Sequence, residues 1–235
     1  MGTMPTSMPS WQTLDRALCS DGSELTLCWF EDYHSERFAL RVDGQELMHS
    51  NSHGSEEKLA VHGCAGLATR SNARVLVGGL GMGFTARAAL DRVAADAEVV
   101  VVEAVSQVIV WNRDPGLLGQ LAGMPLGDPR LSIVEGDVGD VIERSALATT
   151  EAERFDAILL DVDNGPTALS TFTDARFTAR LREAGFAART MRVLAGDGTQ
   201  RRHILWLARP AGGAQGAGAG RDVSSRKRYR TPAAI

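Results

Sequence analysis

The sequence predicts an α/β fold in which a mostly parallel, doubly wound sheet follows a small N-terminal antiparallel β unit. Three observations predict it. From residue 74 onwards, short apolar runs of strand length alternate with helical patterns. A glycine cluster separates the first apolar run from the first of these helices. Upstream, two strand-like segments flank Asp43-Gly44, a dipeptide typical of hairpin turns.

Composition divides the 235 residues into four predicted parts. Residues 1–12 are expected to be a disordered start, and 13–53 a small β unit. Residues 54–210 form the Rossmann-like domain that would bind a nucleoside. Residues 211–235 are a disordered, Gly/Ala-rich tail with five basic residues and one acid near its end.

Charge and cysteine content narrow the classes of function. A net charge of −4 does not favour binding nucleic acid through the folded surface. Cys19, Cys28 and Cys64 are scattered, which favours reduced thiols and a cytoplasmic protein. No apolar run approaches the roughly 20 residues that cross a membrane, and the first residues do not resemble a secretory signal. The histidines show no metal spacing and are expected at surface or loop positions.

The most informative segment runs from residue 74 to 103. A buried strand, 75–77, leads into a glycine loop that allows a tight turn and close approach of a ligand at a helix N-terminus. A second apolar run, 99–102, ends at Glu103, 20 residues after Gly83, where a carboxylate can accept hydrogen bonds from ribose hydroxyls. The predicted ligand-binding glycines are Gly78, Gly79, Gly81 and Gly83.

Two further strands end in acids. The third apolar run, 131–134, is followed by Gly136-Asp137, and the fourth, 155–160, by Asp161. Because ligands of parallel sheets bind at the carboxyl ends of the strands, these residues are expected to converge with the glycine loop. For each acid the alternative is a helix cap or a surface charge.

Two helical segments carry further candidates. Residues 55–67 predict a helix with Ser55 as its N-cap, and Glu56 and Glu57 in the first turn would also suit the helix dipole. Trp111 and Asn112 lie on another helix and could line an adenine pocket, although a tryptophan there is more often part of a core.

Residues 74–166 resemble the class I S-adenosylmethionine-dependent methyltransferase fold and, within it, the spermidine synthase (polyamine aminopropyltransferase) branch. The matching segments are GGLGMG for the family's GGGDGG, VVVVEAVSQVI, DPRLSIVEGDVGDVI, FDAILLDVDNGP and, upstream, SEEKLA. The resemblance implies that Glu103 binds ribose, that Asp137, with Val138 beside it, contacts adenine, and that Asp161 is the catalytic residue orienting the attacking amine. It implies substrate-binding roles for Asp163, Asn164, Glu56 and Glu57.

The implied co-substrate is decarboxylated S-adenosylmethionine or S-adenosylmethionine, without a metal. The implied partner is a small amine or polyamine, with neither membrane nor nucleic acid expected and a homodimer left open. The chain departs from the family pattern at Gly81, Asn164 and Ser55, where the family carries Asp, Asp and Tyr. One helix and the fifth strand are also expected to be missing after Pro166. Either the last hairpin then pairs with the fourth strand, or the protein is a damaged or unusual variant.

Four functions remain open at this point. Aminopropyl transfer to a polyamine is favoured by the β unit and by the DVDNGP segment. Methyl transfer from S-adenosylmethionine is favoured by the glycine spacing and the loss of the loop acid. A catalytically weak binding or scaffold protein is favoured by the missing strand. An NAD-dependent oxidoreductase fits the third strand's Gly-Asp less well.

Overall fold

The computed structural model describes residues 10–31, 36–150, 153–160, 182, 185–194 and 202–210. These residues form two sheets and four α-helices. The strands of the first sheet are β1 (Gln12–Leu18), β2 (Glu24–Glu31), β3 (Glu36–Val42) and β4 (Gln45–His49). Those of the second are β5 (Arg74–Gly78), β6 (Glu98–Glu103), β7 (Leu131–Glu135), β8 (Ala157–Leu160), β9 (Phe186–Leu194) and β10 (Arg202–Pro210). The helices are α1 (Gly54–Gly63), α2 (Phe84–Leu90), α3 (Ser106–Arg113) and α4 (Val138–Ala146), and Pro125–Gly127 form a 3-10 turn.

The first sheet is the predicted N-terminal β unit. Its strands are antiparallel and follow chain order, β1-β2-β3-β4. Leu27, Phe38 and Leu40 lie on one face and pack into the same core as β5 and β6. The sequence did not predict β1, an edge strand whose residues are mostly exposed and therefore lack a clear apolar alternation.

The second sheet has the order β7-β6-β5-β8-β10-β9. Its first four strands are parallel, as predicted. Val75, Leu76 and Val77 in the central strand are fully buried, with Leu76 in the core on one side of the sheet and its two neighbours in the core on the other. Burial on both faces explains why these strands read as continuous apolar runs.

The C-terminal hairpin settles one question that the sequence left open. In β10, Leu207 and Ala208 pair with Leu159 and Ile158 of β8, so the hairpin joins the sheet directly beside β8. β10 runs antiparallel to both β8 and β9. The pairing satisfies backbone groups that would otherwise form an open sheet edge.

The first helix corrects a prediction from the sequence. Ser55 is not the N-cap of α1, because the helix begins at Gly54 with His53 in the capping position and without a side-chain cap. The helix also ends at Gly63, short of the predicted Leu67. Across the described ranges, every helix falls short of the length and apolarity that a bilayer crossing requires.

Candidate functional site

The glycine loop between β5 and α2 adopts a conformation that depends on its glycines. Gly79, Gly81 and Gly83 have φ angles of 89°, 51° and 84°, in the left-handed region that other residues rarely adopt. The N–H of Gly79 donates to the carbonyl of Val102 at 2.8 Å and so fastens the loop to the end of β6. The sequence therefore builds this turn at the carboxyl edge of the parallel strands, where it was expected.

Gly78 permits a close approach of three elements. A Cβ atom at this position would lie 2.9 Å from Cδ2 of Leu160 and 2.9 Å from Cγ2 of Val138. The end of β8 and the start of α4 therefore pack directly against the end of β5. Gly78 and Val138, both predicted to bind the co-substrate, lie in contact distance at the floor of the loop.

Glu103 is joined to the glycine loop by its side chain. The residue is buried, with 8% of its surface exposed. Its Oε2 accepts a hydrogen bond from the N–H of Leu80 at 2.8 Å, and its Oε1 accepts one from the N–H of Val105 at 2.9 Å. A carboxylate has about four acceptor positions, so these bonds fix its orientation and leave capacity for further donors.

Asp137 is a helix cap in this structure. It occupies the N-cap position of α4, is exposed, and its Oδ1 accepts a hydrogen bond from the N–H of Gly139 at 2.6 Å. The preceding strand ends with Glu135, whose Oε1 accepts from the hydroxyl of Ser106 at 2.7 Å. The capping role that competed with ligand binding is therefore present, and adenine binding by Asp137 stays a prediction.

The start of α1 lies beside the glycine loop. The imidazole of His53 stacks on the ring of Phe84, the first residue of α2, with centroids 4.2 Å apart and planes 18° apart. Glu56 is 6% exposed, and its Oε2 accepts a hydrogen bond from the hydroxyl of Ser55 at 2.7 Å. Glu57 is exposed, with Oε1 3.0 Å from Nδ1 of His53. These two side-chain atoms form no hydrogen bond, but the backbone N–H of Glu57 donates to the carbonyl of His53 at 3.2 Å.

The two predicted substrate carboxylates of α1 thus differ in environment: Glu56 is buried and Glu57 faces solvent. Sequence reasoning assigned the histidines to surface or loop positions. It missed His53, because its contact with Phe84 joins segments that only the tertiary fold brings together.

Helix α3 contacts the glycine loop through one of two adjacent buried side chains, Trp111 and Asn112. Trp111 is completely buried and its Nε1 donates to Oδ2 of Asp15 in β1 at 2.8 Å. This hydrogen bond is the main cause of a lowered pKa for Asp15. The adjacent Asn112 is 4% exposed, and its Nδ2 donates to the carbonyl of Gly81 at 2.8 Å. Trp111 is therefore a core residue, and Asn112 contacts the glycine loop.

Met48 in β4 packs against Gly81. Its Sδ would lie 3.0 Å, and its Cε 3.3 Å, from a Cβ atom placed on Gly81. The N-terminal sheet thus forms one wall of the loop, with an apolar thioether where the sequence offered no signal of a contact.

Three of the predicted site residues, Asp161, Asp163 and Asn164, lie outside the described residues. Within the described part, no three histidine, cysteine or carboxylate side chains are grouped so that they could hold a metal ion. A groove of about 540 Å³ borders Arg74, Arg144 and Phe155 near the amino ends of β5 and β8, and contains none of the predicted site residues.

The same fold is found among solved spermidine synthases. The crystal structure of the enzyme from Thermotoga maritima matches with a TM-score of 0.58 at 17% identity, over 85% of this chain and 73% of that chain. A spermidine synthase solved in complex with the transition-state analogue AdoDATO matches with a TM-score of 0.56 at 17% identity, over 85% of this chain and 72% of that one. No protein-family model matches the sequence, and no curated protein matches it significantly. The predicted Rossmann-like fold of spermidine synthase type, with its N-terminal β unit, is confirmed.

Proposed function

We propose that this protein is a transferase that binds decarboxylated S-adenosylmethionine, or S-adenosylmethionine itself, and transfers an aminopropyl group to an amine of the polyamine class. The observation that carries the proposal is the carboxylate of Glu103, held against the glycine loop by the Leu80 N–H at 2.8 Å. An oriented acid beside such a loop, at the ends of adjacent parallel strands, suits the ribose of a nucleoside. The likeness to a spermidine synthase that binds AdoDATO supports the same class of co-substrate.

The chain's residues fit such a nucleoside. The three left-handed glycines allow the tight turn, and at Gly81 and Gly83 a side chain would collide with Met48 or Pro125. Glu103 retains acceptor positions for two hydroxyls. When bound, the sulfonium supplies its own electrophile: the amine nitrogen bonds to the carbon beside sulfur, that carbon–sulfur bond breaks, its electron pair goes to sulfur, and the amine loses a proton.

The protein's task is then to position the amine and to accommodate its charge. Glu56 is the described carboxylate best suited to the acceptor's far ammonium group, because it is buried and its hydrogen bond within the described contacts comes from Ser55. A single hydrogen bond offsets little of the cost of burying a carboxylate, so a cationic partner would stabilise it. Asp161 keeps its predicted role of orienting the attacking amine.

Methyl transfer is the second candidate. The left-handed glycines at positions 79, 81 and 83 have the spacing that methyltransferases use, and an apolar thioether, Met48, packs at Gly81, the position where spermidine synthases carry an acid. Both reactions need the same nucleoside pocket, so they are separated by the co-substrate and the product.

The experiment is calorimetric titration of the purified protein with S-adenosylmethionine, its decarboxylated form and methylthioadenosine. Tighter binding of the decarboxylated form, with release of methylthioadenosine when a polyamine is added, supports aminopropyl transfer. Tighter binding of the intact form, with release of S-adenosylhomocysteine, would favour methyl transfer. If none of the three binds with a Kd below about 1 mM, which corresponds to about −4 kcal/mol, the transferase proposal is wrong. That result would favour a binding or scaffold role instead.

A further inference from the structure

Asn112 occupies a fixed position under the glycine loop. Both hydrogens of its amide are used, one by the carbonyl of Gly81 at 2.8 Å and the other by the carbonyl of Val108, one turn back in α3, at 2.9 Å. The side chain is 4% exposed, and it leaves Oδ1 3.2 Å from the place where a Cβ on Gly83 would lie. Its amide therefore touches two of the three left-handed positions of the loop.

Two elements contact Gly81. Asn112 in α3 donates to its carbonyl, and Met48 in β4 packs where a Cβ atom at this position would lie. Because the peptide group is planar, fixing a carbonyl also fixes the orientation of the N–H that follows it. A glycine can otherwise rotate among many conformations, so an external hydrogen bond is the means by which the fold selects one.

We propose that Asn112 is a positioning residue for the nucleoside: it holds the Gly81–Gly83 turn in the shape that the ligand meets. This inference rests on the proposed function for its ligand, but the hydrogen bond and its effect on the loop do not depend on which group is transferred. The residue itself lies beneath the loop and acts through Gly81. Its loss should therefore weaken binding without removing any group that contacts the ligand.

The test compares two neighbouring residues of the same helix. Asn112→Asp keeps the shape but replaces both donors by a carboxylate, which faces two carbonyl oxygens and repels them. Trp111→Phe is the matched control, because it also removes one 2.8 Å hydrogen bond from a buried α3 residue, but that bond goes to Asp15 in β1 and not to the glycine loop. Asn112→Ser, which is too short to reach Gly81, is a second variant without a new charge.

Two readouts are measured for each variant: hydrogen exchange of the amides of residues 79–83, and the Kd for methylthioadenosine. With Asn112→Asp or Asn112→Ser, we expect loop exchange to speed up about 10-fold and the Kd to rise about 10-fold, because the one buried hydrogen bond of Asn112 that reaches the loop is lost. With Trp111→Phe, the exchange rate and the Kd should both stay within about 2-fold of the original protein. This should hold even if Trp111→Phe lowers the midpoint of unfolding as much as the Asn112 variants do.

Loop exchange and affinity that are unchanged in the Asn112 variants, or changed equally by Trp111→Phe, would overturn the inference. If the original protein binds no nucleoside, the proposed function fails, while the exchange experiment still decides whether Asn112 holds the loop. If Asn112→Asp does not fold, Asn112→Ser decides by the same two readouts.

Discussion

Oδ2 of Asp15 accepts a hydrogen bond from the indole N–H of Trp111, and this contact ties the first strand of the N-terminal sheet to a helix of the main domain. The same oxygen accepts from Nε2 of Gln107 at 2.8 Å, so one carboxylate holds two side chains that lie one turn apart on α3. Because Asn112 follows Trp111, the N-terminal sheet and the glycine loop are both attached to one short helix.

Replacing Asp15 by Ala should loosen this attachment. Both donors lose their partner, and the indole N–H is left unpaired in the core, so the free energy of unfolding should fall by about 2 kcal/mol. The hydrogen bond from Trp111 lowers the pKa of Asp15 in the folded state. The stabilisation is therefore present above the unfolded pKa near 3.8 and is lost as the pH falls through the folded pKa. Urea unfolding at pH 7 measures the effect, with exposed Thr13→Ala in the same strand as the control; equal losses in both variants would mean that the contact contributes nothing.

A second carboxylate, Asp128, stabilises the main domain at neutral pH and loses this effect in acid. Nε and Nη2 of Arg130 donate to the two oxygens of Asp128 at 2.9 and 2.7 Å, and Nη1 donates to the carbonyl of Leu90 at 3.0 Å. The hydrogen bonds from Arg130 lower the pKa of Asp128 from 3.8 to about 2.

Asp128→Asn should therefore cost about 2 kcal/mol at neutral pH. Because the pKa is lower in the folded state, this contribution is complete above about pH 4 and disappears as the pH falls towards 2. Urea unfolding at pH 7, 5 and 3 measures the difference between the variant and the original protein. A difference that stays constant down to pH 3 would contradict the assigned pKa.

Much of this architecture could be predicted from the sequence, because buried parallel strands read as apolar runs and a left-handed turn requires glycine. The contacts that complete the site could not. Asn112 and Gly81 are 31 positions apart, and neither residue type signals the other. The edge strand β1 lacks a buried face, and the pattern around Asp137 is the same for a helix cap as for a ligand contact.

Glu103→Gln tests whether the carboxylate of Glu103 contributes to nucleoside binding. The amide retains the size of the side chain but presents a donor to one of the two backbone N–H groups, so the orientation of the loop beside Leu80 is disturbed. The Kd for methylthioadenosine should rise at least about 10-fold, because a bond to a charged acceptor is lost or weakened.

Glu135→Gln is the matched control for this change. Glu135 is paired with Glu103 in the register of β6 and β7, and it is exposed at the same edge of the sheet. Its replacement alters only an exposed hydrogen bond with Ser106, so it should leave the Kd within about 2-fold. Equal weakening by both variants would show a general effect of negative charge at this edge rather than a ribose contact.

Glu56→Gln should weaken binding of the acceptor amine and leave binding of the nucleoside unchanged. Removing the buried charge leaves the amine's far ammonium without its counter-ion, so the KM for a diamine should rise about 10-fold or more. The Kd for methylthioadenosine should not change. Glu57→Gln, one residue along and exposed, is the control, and a larger effect of that variant on the KM would assign the role to Glu57 instead.

Two glycines with nearly the same backbone conformation separate strain from crowding. Gly83 and Gly66 have φ angles of 84° and 87°. A Cβ on Gly66 would meet nothing within 4 Å, whereas one on Gly83 would lie 3.0 Å from Cγ of Pro125 and 3.2 Å from Oδ1 of Asn112. Gly66→Ala should therefore lose only the cost of the left-handed backbone, about 1–2 kcal/mol. Gly83→Ala should lose more free energy of unfolding, as measured in urea, because the turn must also shift. For the same reason its Kd for methylthioadenosine should rise at least about 10-fold. Equal destabilisation of the two variants, with nucleoside affinity unchanged in Gly83→Ala, would show that this turn can move without consequence for the site.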